Sequence, residues 1–292
     1  MEKKELLTRE ALDISEHIDR VTKLSNLALM LYRWYVKNGH ARNEDDVKDL
    51  KNFFKSSLPS DIDSVNGFYE KLYLYQCYCW MAFIRRDFLL YYRYSRKWAE
   101  LFDESQVMLS VETGHYIKGM HNLLNAHFDL RNFEGFETTL RNFELFAQTP
   151  EANAHDNFRT HTSIYLNSAR INLYLIKGNF KEGLKMVPDI LTNLKDYALY
   201  VDNHRILVIN YKIASLYFGA ERFGDAIDFL HKIINDNKAG LRNDLQCYAR
   251  LLHLICHYEI GNEEILDSLI RSVYRFMAHM KNLTVVELEI FS

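Results

Sequence analysis

Between positions 205 and 218, apolar side chains return every three or four residues, at Ile206, Ile209, Ile213, Leu216 and Tyr217. That period puts one buried stripe on a helix. The stretch "GAERFGDA" then breaks the stripe with two glycines and polar residues, and a second stripe follows at Phe223, Ile227, Leu230 and Ile234. Two antiparallel helices joined by a short turn are expected. Ala214 and Ala226 are small enough to let the two backbones approach where the helices cross. Tyr217 and Phe223 flank the turn and can fill the space beside it.

The same grammar recurs along the chain. In residues 169–191, Tyr174, Gly178, Phe180 and Gly183 stand around a turn much as Tyr217, Gly219 or Arg222, Phe223 and Ala226 do. Asn132-Phe133, Asp87-Phe88 and Gly261-Asn262 punctuate three further stretches. Phe88, Phe133, Phe180, Phe223 and Glu263 follow one another at intervals of 45, 47, 43 and 40 residues. A drifting but bounded period of this size is the mark of helical hairpins laid in series. The expected architecture is all-α: an α-solenoid of about six antiparallel helix pairs, stacked as one right-handed repeat domain over residues 1–292. Its hairpins are placed at 8–57, 62–103, 105–149, 155–195, 198–238 and 241–280. In the first, a long helix runs to about Lys37, and Glu44, Asp45 and Asp46 open the second helix. Carboxylates there complement the positive helix end, so they are read as electrostatic rather than metal-binding. "TVVE" at 284–287 has a capping-box pattern, so residues 282–292 are expected to begin a truncated helix or to cap the last pair.

Composition narrows the picture in the same direction. Three prolines and eleven glycines in 292 residues are few for folds that spend them on turns. A hydrophobic share of 48% is too high for a disordered chain. A net charge of −3 gives no general pull toward nucleic acid or anionic membrane. No apolar run approaches the roughly 20 residues needed to cross a bilayer, and the charged start lacks a signal-peptide core. Cys77, Cys79, Cys247 and Cys256 are not spaced as a secreted framework and read as reduced, partly buried thiols in a cytoplasmic protein.

On Ala214, Tyr217, Phe223, Ala226, Leu230 and Ile233, residues 211–234 resemble a tetratricopeptide repeat. Residues 169–191 are similar more loosely. Ile171 replaces the first small residue there, and Pro188 is expected to kink the second helix. The other pairs share the rhythm, and the spacing exceeds the family's roughly 34 residues. The resemblance implies a non-enzymatic scaffold that binds a protein, peptide or partner helix in a concave groove lined by first helices. The family register would line it with Tyr73, Gln76 and Trp80, with Lys118, His121 and Asn125, and with Tyr165, Ser168 and Asn172. Val208, Tyr211 and Ser215 follow, and Tyr248, Leu251 and Ile255 end the series. Amides, hydroxyls and aromatics suit a peptide backbone better than a phosphate. The competing reading is that these residues simply pack between hairpins.

Candidate chemistry is thin. His253 and His257 are four apart, a spacing that can share a metal, but Leu254 stands where a metalloprotease needs Glu. Glu259 lies about 160° round the helix from His257. Hydrogen-bonded or solvated histidines are expected, and His115, His121 and His127, six apart, share no face. Residues 85–98 interleave basic and aromatic side chains, a pattern that can hold single-stranded nucleic acid. The plainer reading is an amphipathic helix with Arg93, Arg96, Lys97 and Glu100 outward and Phe88, Tyr92 and Ala99 opposite. Phosphate-loop, dinucleotide and nucleophile-elbow motifs do not occur, and no metal or cofactor is expected. Two alternatives to the scaffold remain: a peptide-responsive regulatory sensor lacking its own DNA-binding domain, and an RNA binder or helical enzyme using residues 85–98. Nucleic acid is the less expected partner, and a homo-oligomer is compatible with the sequence.

Overall fold

A computed structural model describes residues 2–41, 44–58, 65–196, 201–236 and 243–279. The tail from 282 on lies outside these residues. The described residues are helical throughout, without strands. The helices are α1 (Glu2–Asn38), α2 (Glu44–Ser57), α3 (Phe68–Ile84), α4 (Phe88–Glu104), α5 (Val107–Val111), α6 (Thr113–Asp129), α7 (Phe133–Phe146), α8 (Pro150–Asn153), α9 (Asp156–Lys177), α10 (Phe180–Leu184), α11 (Val187–Asp196), α12 (Asn203–Gly219), α13 (Phe223–Ile234), α14 (Asn243–Glu259) and α15 (Glu263–His279). Their contacts divide the chain into two compact units, residues 1–35 with 43–126 and residues 36–42 with 127–292.

Five of the turns are built alike. Helices resume at Phe88, Phe133, Phe180, Phe223 and Glu263, the positions the sequence punctuation marks. Two residues before each restart the backbone turns left-handed, at Arg86, Arg131, Gly178, Glu221 and Gly261, with φ between 53° and 74°. The following amide, of Asp87, Asn132, Asn179, Arg222 or Asn262, donates to a carbonyl five residues back over 2.9–3.1 Å. That six-to-one bond closes a helix C-terminus and satisfies a carbonyl that would otherwise be orphaned. Asp87 and Asn132 then cap the next helix, accepting from the amides of Leu90 and Gly135 at 3.1 Å.

In the first unit, α3 packs along α4 around Leu72, Cys79, Ala82, Tyr91, Trp98, Leu101 and Phe102. Helix α1 meets α3 through Trp80, whose ring lies 5.2 and 5.5 Å from those of Tyr32 and Tyr35. A buried carboxylate pins the same contact. Glu70 accepts from Arg20 Nε at 2.6 Å and from the amides of Gly67 and Asn66 at the start of α3, with His17 Nδ1 at 3.1 Å. Burial pushes its pKa up, but Arg20, the two amides and His17 outweigh that and hold it down at about 2. On α4 the expected inner face is rotated by one position. Tyr91, Ser95, Trp98 and Phe102 are buried alongside Ala99, while Phe88 is 41% exposed and Tyr92 half-buried. Trp98 lies on this rotated face, its indole occupying the space above Gly119 on α6.

In the second unit, α9 packs on α12, and α12 on both α13 and α14; α14 packs in turn on α13 and α15. Ala214 and Ala226 are fully buried, as expected of small residues at a helix crossing. Gly219 ends α12 beneath the ring of Phe180. A Cβ there would come within 2.5–2.6 Å of three ring carbons, so only glycine admits this seat. The expected kink at Pro188 appears as a break: α10 stops at Leu184 and α11 restarts at Val187. Proline at the second position of a new helix forfeits no bond.

All four cysteines are buried, and none is in a disulfide. Burial raises the thiol pKa values of Cys77, Cys79 and Cys256, Cys79 to about 12 and Cys256 to about 11, which keeps these three inert. No helix among the described residues is long and apolar enough to cross a membrane.

Candidate binding surface on the first helices

The expected groove residues fall into two sets, six in the first unit and nine in the second. In the first unit, Gln76 is 7% exposed and its Nε2 lies 3.0 Å from His115 Nδ1. Tyr73 sits edge-on to the same imidazole at 5.7 Å. Burial and Lys118 push His115 below its ordinary pKa, against the pull of Glu112. His115 was not among the expected residues, yet it stands one turn before Lys118 in the same register. Asn125 Nδ2 lies 3.1 Å from His121 Nε2. Both are half-buried, Lys118 is exposed, and Trp80 is packed against α1.

In the second unit, Tyr165, Ser168 and Asn172 on α9 are each less than a tenth exposed, and Tyr165 and Ser168 meet α12. Tyr165 Oη accepts from Arg205 Nη2 at 3.0 Å, and the guanidinium sits 5.5 Å from its ring centre. Burial raises the phenol pKa while Arg205 opposes the rise. Lys212 Nζ lies 2.6 Å from Ser168 Oγ. Burial pushes the Lys212 ammonium down to about 8, with Asp129 pulling the other way. Tyr211, Ser215 and Tyr248 are half-buried. Ser215 donates to the Tyr211 carbonyl at 2.9 Å. Burial, reinforced by neighbouring Tyr248, pushes Tyr211 up to about 12. Val208 and Leu251 are half-buried and Ile255 is 40% exposed.

The structure thus separates the expected residues by job. Gln76, Tyr165, Ser168 and Asn172 are spent between helices. Tyr211, Ser215 and Tyr248 keep surface on adjoining first helices, beside the half-buried cation of Lys212. Arg205 and Lys212, which bridge α9 to α12, escaped the register reading. They lie three before and four after Val208, so the same helical face contained the signal.

Elsewhere the chemistry is quieter. On α4, Arg93, Arg96 and Lys97 are exposed, but Arg96 is tied to Glu100 at 2.6 Å, and Tyr94 is stacked on Tyr78 at 4.3 Å. A cleft of about 290 Å³ is lined by Asn153, Arg159, Thr162, Asn167, Arg170 and Asn193, among others. Its arginines are paired with Asp156 and Glu144. His253 and His257 are joined by His231 of α13, the three Nε2 atoms forming a chain of 2.9 and 3.3 Å steps. Among the described residues no group of three His, Cys, Asp or Glu side chains is arranged to hold a metal ion. No family model, curated protein or solved structure matches the chain.

Proposed function

We propose that this chain is a tetratricopeptide-like scaffold, a right-handed stack of about six helical hairpins with no catalytic role, and that it receives a peptide or partner helix along α9, α12 and α14. One observation carries this reading. Tyr211, Ser215, Lys212 and Tyr248 bring two rings, a hydroxyl and a cation to the partly open face of adjoining helices. Rigid rings supply contact area at little entropic cost, and the hydroxyl and ammonium can orient a backbone or an acidic side chain. The half-buried bridges Tyr165–Arg205 and Ser168–Lys212 hold the wall in shape, so less is lost on binding. The expected cytoplasmic setting belongs with this proposal.

A photocrosslinking residue placed at Ser215, with a control at exposed Asp228 on α13, tests it in native extract. Peptides crosslinked at 215 and not at 228 are expected. A synthetic copy of such a peptide should then lose at least about tenfold in affinity, ~1.4 kcal/mol, to the Tyr211→Ala, Tyr248→Ala double variant. Equal labelling at both positions, or unchanged calorimetric affinity, removes this face from the account.

A further inference from the structure

The seam between α13 and α14 carries a histidine chain that the binding surface does not use. His253, 8% exposed, stands in the middle. Its Nε2 lies 2.9 Å from His231 Nε2 on α13 and 3.3 Å from His257 Nε2 one turn on. Asn262, at the turn into α15, places its side-chain nitrogen 2.9 Å from His257 Nδ1. With that amide orientation, Asn262 donates to Nδ1, so His257 carries its proton on Nε2 and donates to His253. His253 Nε2 therefore accepts from His257. A proton on His253 Nε2 would face that N–H and break the bond.

The charges around the chain work in the same direction. Besides burial, His253 is acted on by His257, His231 and Arg250, and His257 by His231. From α13, Lys232 is turned onto the ring of Phe229 at 3.8 Å. On α14, Arg250 lies 3.9 Å over Phe276 of α15, and Glu263 and Glu264, in the first turn of α15, are exposed. From α12, Tyr211 is not among the groups that act on His253 or His257. Among the described residues, no carboxylate acts on His253 or His257 to offset a positive charge.

We propose that the His231–His253–His257 chain is an acid-sensitive latch that holds the α14–α15 hairpin on α13 at neutral pH and lets it loosen on mild acidification. Burial, then the neighbouring cations, depress His253 to about 4. A histidine with a depressed folded-state pKa contributes stability that is present above its ordinary value near 6.5 and is lost as pH falls from there toward 4. Loosening therefore belongs to the interval between roughly pH 6.5 and 4.

Amide hydrogen exchange of the full chain at pH 7.5 and pH 5, normalised to intrinsic rates, tests the latch. Protection of the central α14 amides should fall at least roughly tenfold at pH 5, with α3 and α4 unchanged. His253→Gln should flatten that dependence. Equal protection at both pH values, or the same fall in the variant, overturns the proposal. Should the variant fail to fold, NMR titration of the native imidazoles decides: one of the three resisting protonation until well below pH 6 is expected, and three ordinary titrations overturn it.

Discussion

The hairpins α3–α4 and α12–α13 share a turn and differ in what fills them. Aligned on their restart residues, Phe88 and Phe223, the small Ala214 corresponds to Cys79, both buried. Beyond that pair the volumes are exchanged. Tyr217 corresponds to Ala82, Ala226 to Tyr91 and Leu230 to Ser95. At each of these three positions one hairpin places a bulky side chain where the other places a small one. The α3–α4 pair gains its volume back from Tyr91 and from Trp98, which stands where α13 has Ile233. The backbone geometry of the turn tolerates either packing, because main-chain hydrogen bonds hold it. What a core of this kind requires is that total volume be kept at the crossing, with the choice of which helix supplies it left open.

Four predictions would break or sharpen that comparison. The largest is Trp98→Ala, which empties the α3–α4 core and should cost about 3–5 kcal/mol, read by urea unfolding followed with probes in each unit. Loss of signal from both units at one midpoint would mean that they do not unfold separately. Next, Glu70→Gln should cost about 3 kcal/mol, the worth of a buried carboxylate held near 2 instead of its ordinary value. Its native-state pKa is depressed, so this stability is present above about pH 4.5 and disappears as pH falls toward 2. The substitution should flatten the acid limb of a stability-against-pH curve. Third, Ala226→Leu should destabilise α12–α13 by about 1–3 kcal/mol through overpacking. Leu at position 226 with Ala at 230 imitates the exchanged arrangement of α3–α4 and should recover part of that loss. Smallest are the turns. Arg86→Gly, Arg131→Gly and Glu221→Gly should each stabilise by about 0.5–1 kcal/mol, whereas Gly178→Ala and Gly261→Ala should cost about 1 kcal/mol. Thermal midpoints that move the same way in both groups would mean that the left-handed residue is not what limits these turns.

The comparison also explains how much of the fold was legible in the sequence. The α12–α13 pair could be read because Ala214 and Ala226 put small residues where a familiar repeat has them. In α3–α4, Tyr91 and Ser95 carry the reverse sizes, so only the rhythm survived, and the inner face of α4 was misjudged by one position. All five restarts were visible as punctuation, although three of their left-handed positions, Arg86, Arg131 and Glu221, are not glycine. The candidate surface was less legible. Register can place Tyr165, Ser168 and Asn172 toward a neighbouring first helix, but it cannot say how close that helix comes. They proved buried, and the cations that meet Tyr165 and Ser168, Arg205 and Lys212, belong to a helix some 40 residues further on. Glu70 was invisible for a similar reason, since its partner Arg20 is 50 residues away.

The fit of Phe180 over Gly219 gives the chain a direction in time. While the polypeptide is being made, the ring cannot take this seat until residue 219 has left the ribosome. The hairpin around Gly178 is therefore finished by its successor, and a chain stopped short of Gly219 would leave that ring without its seat.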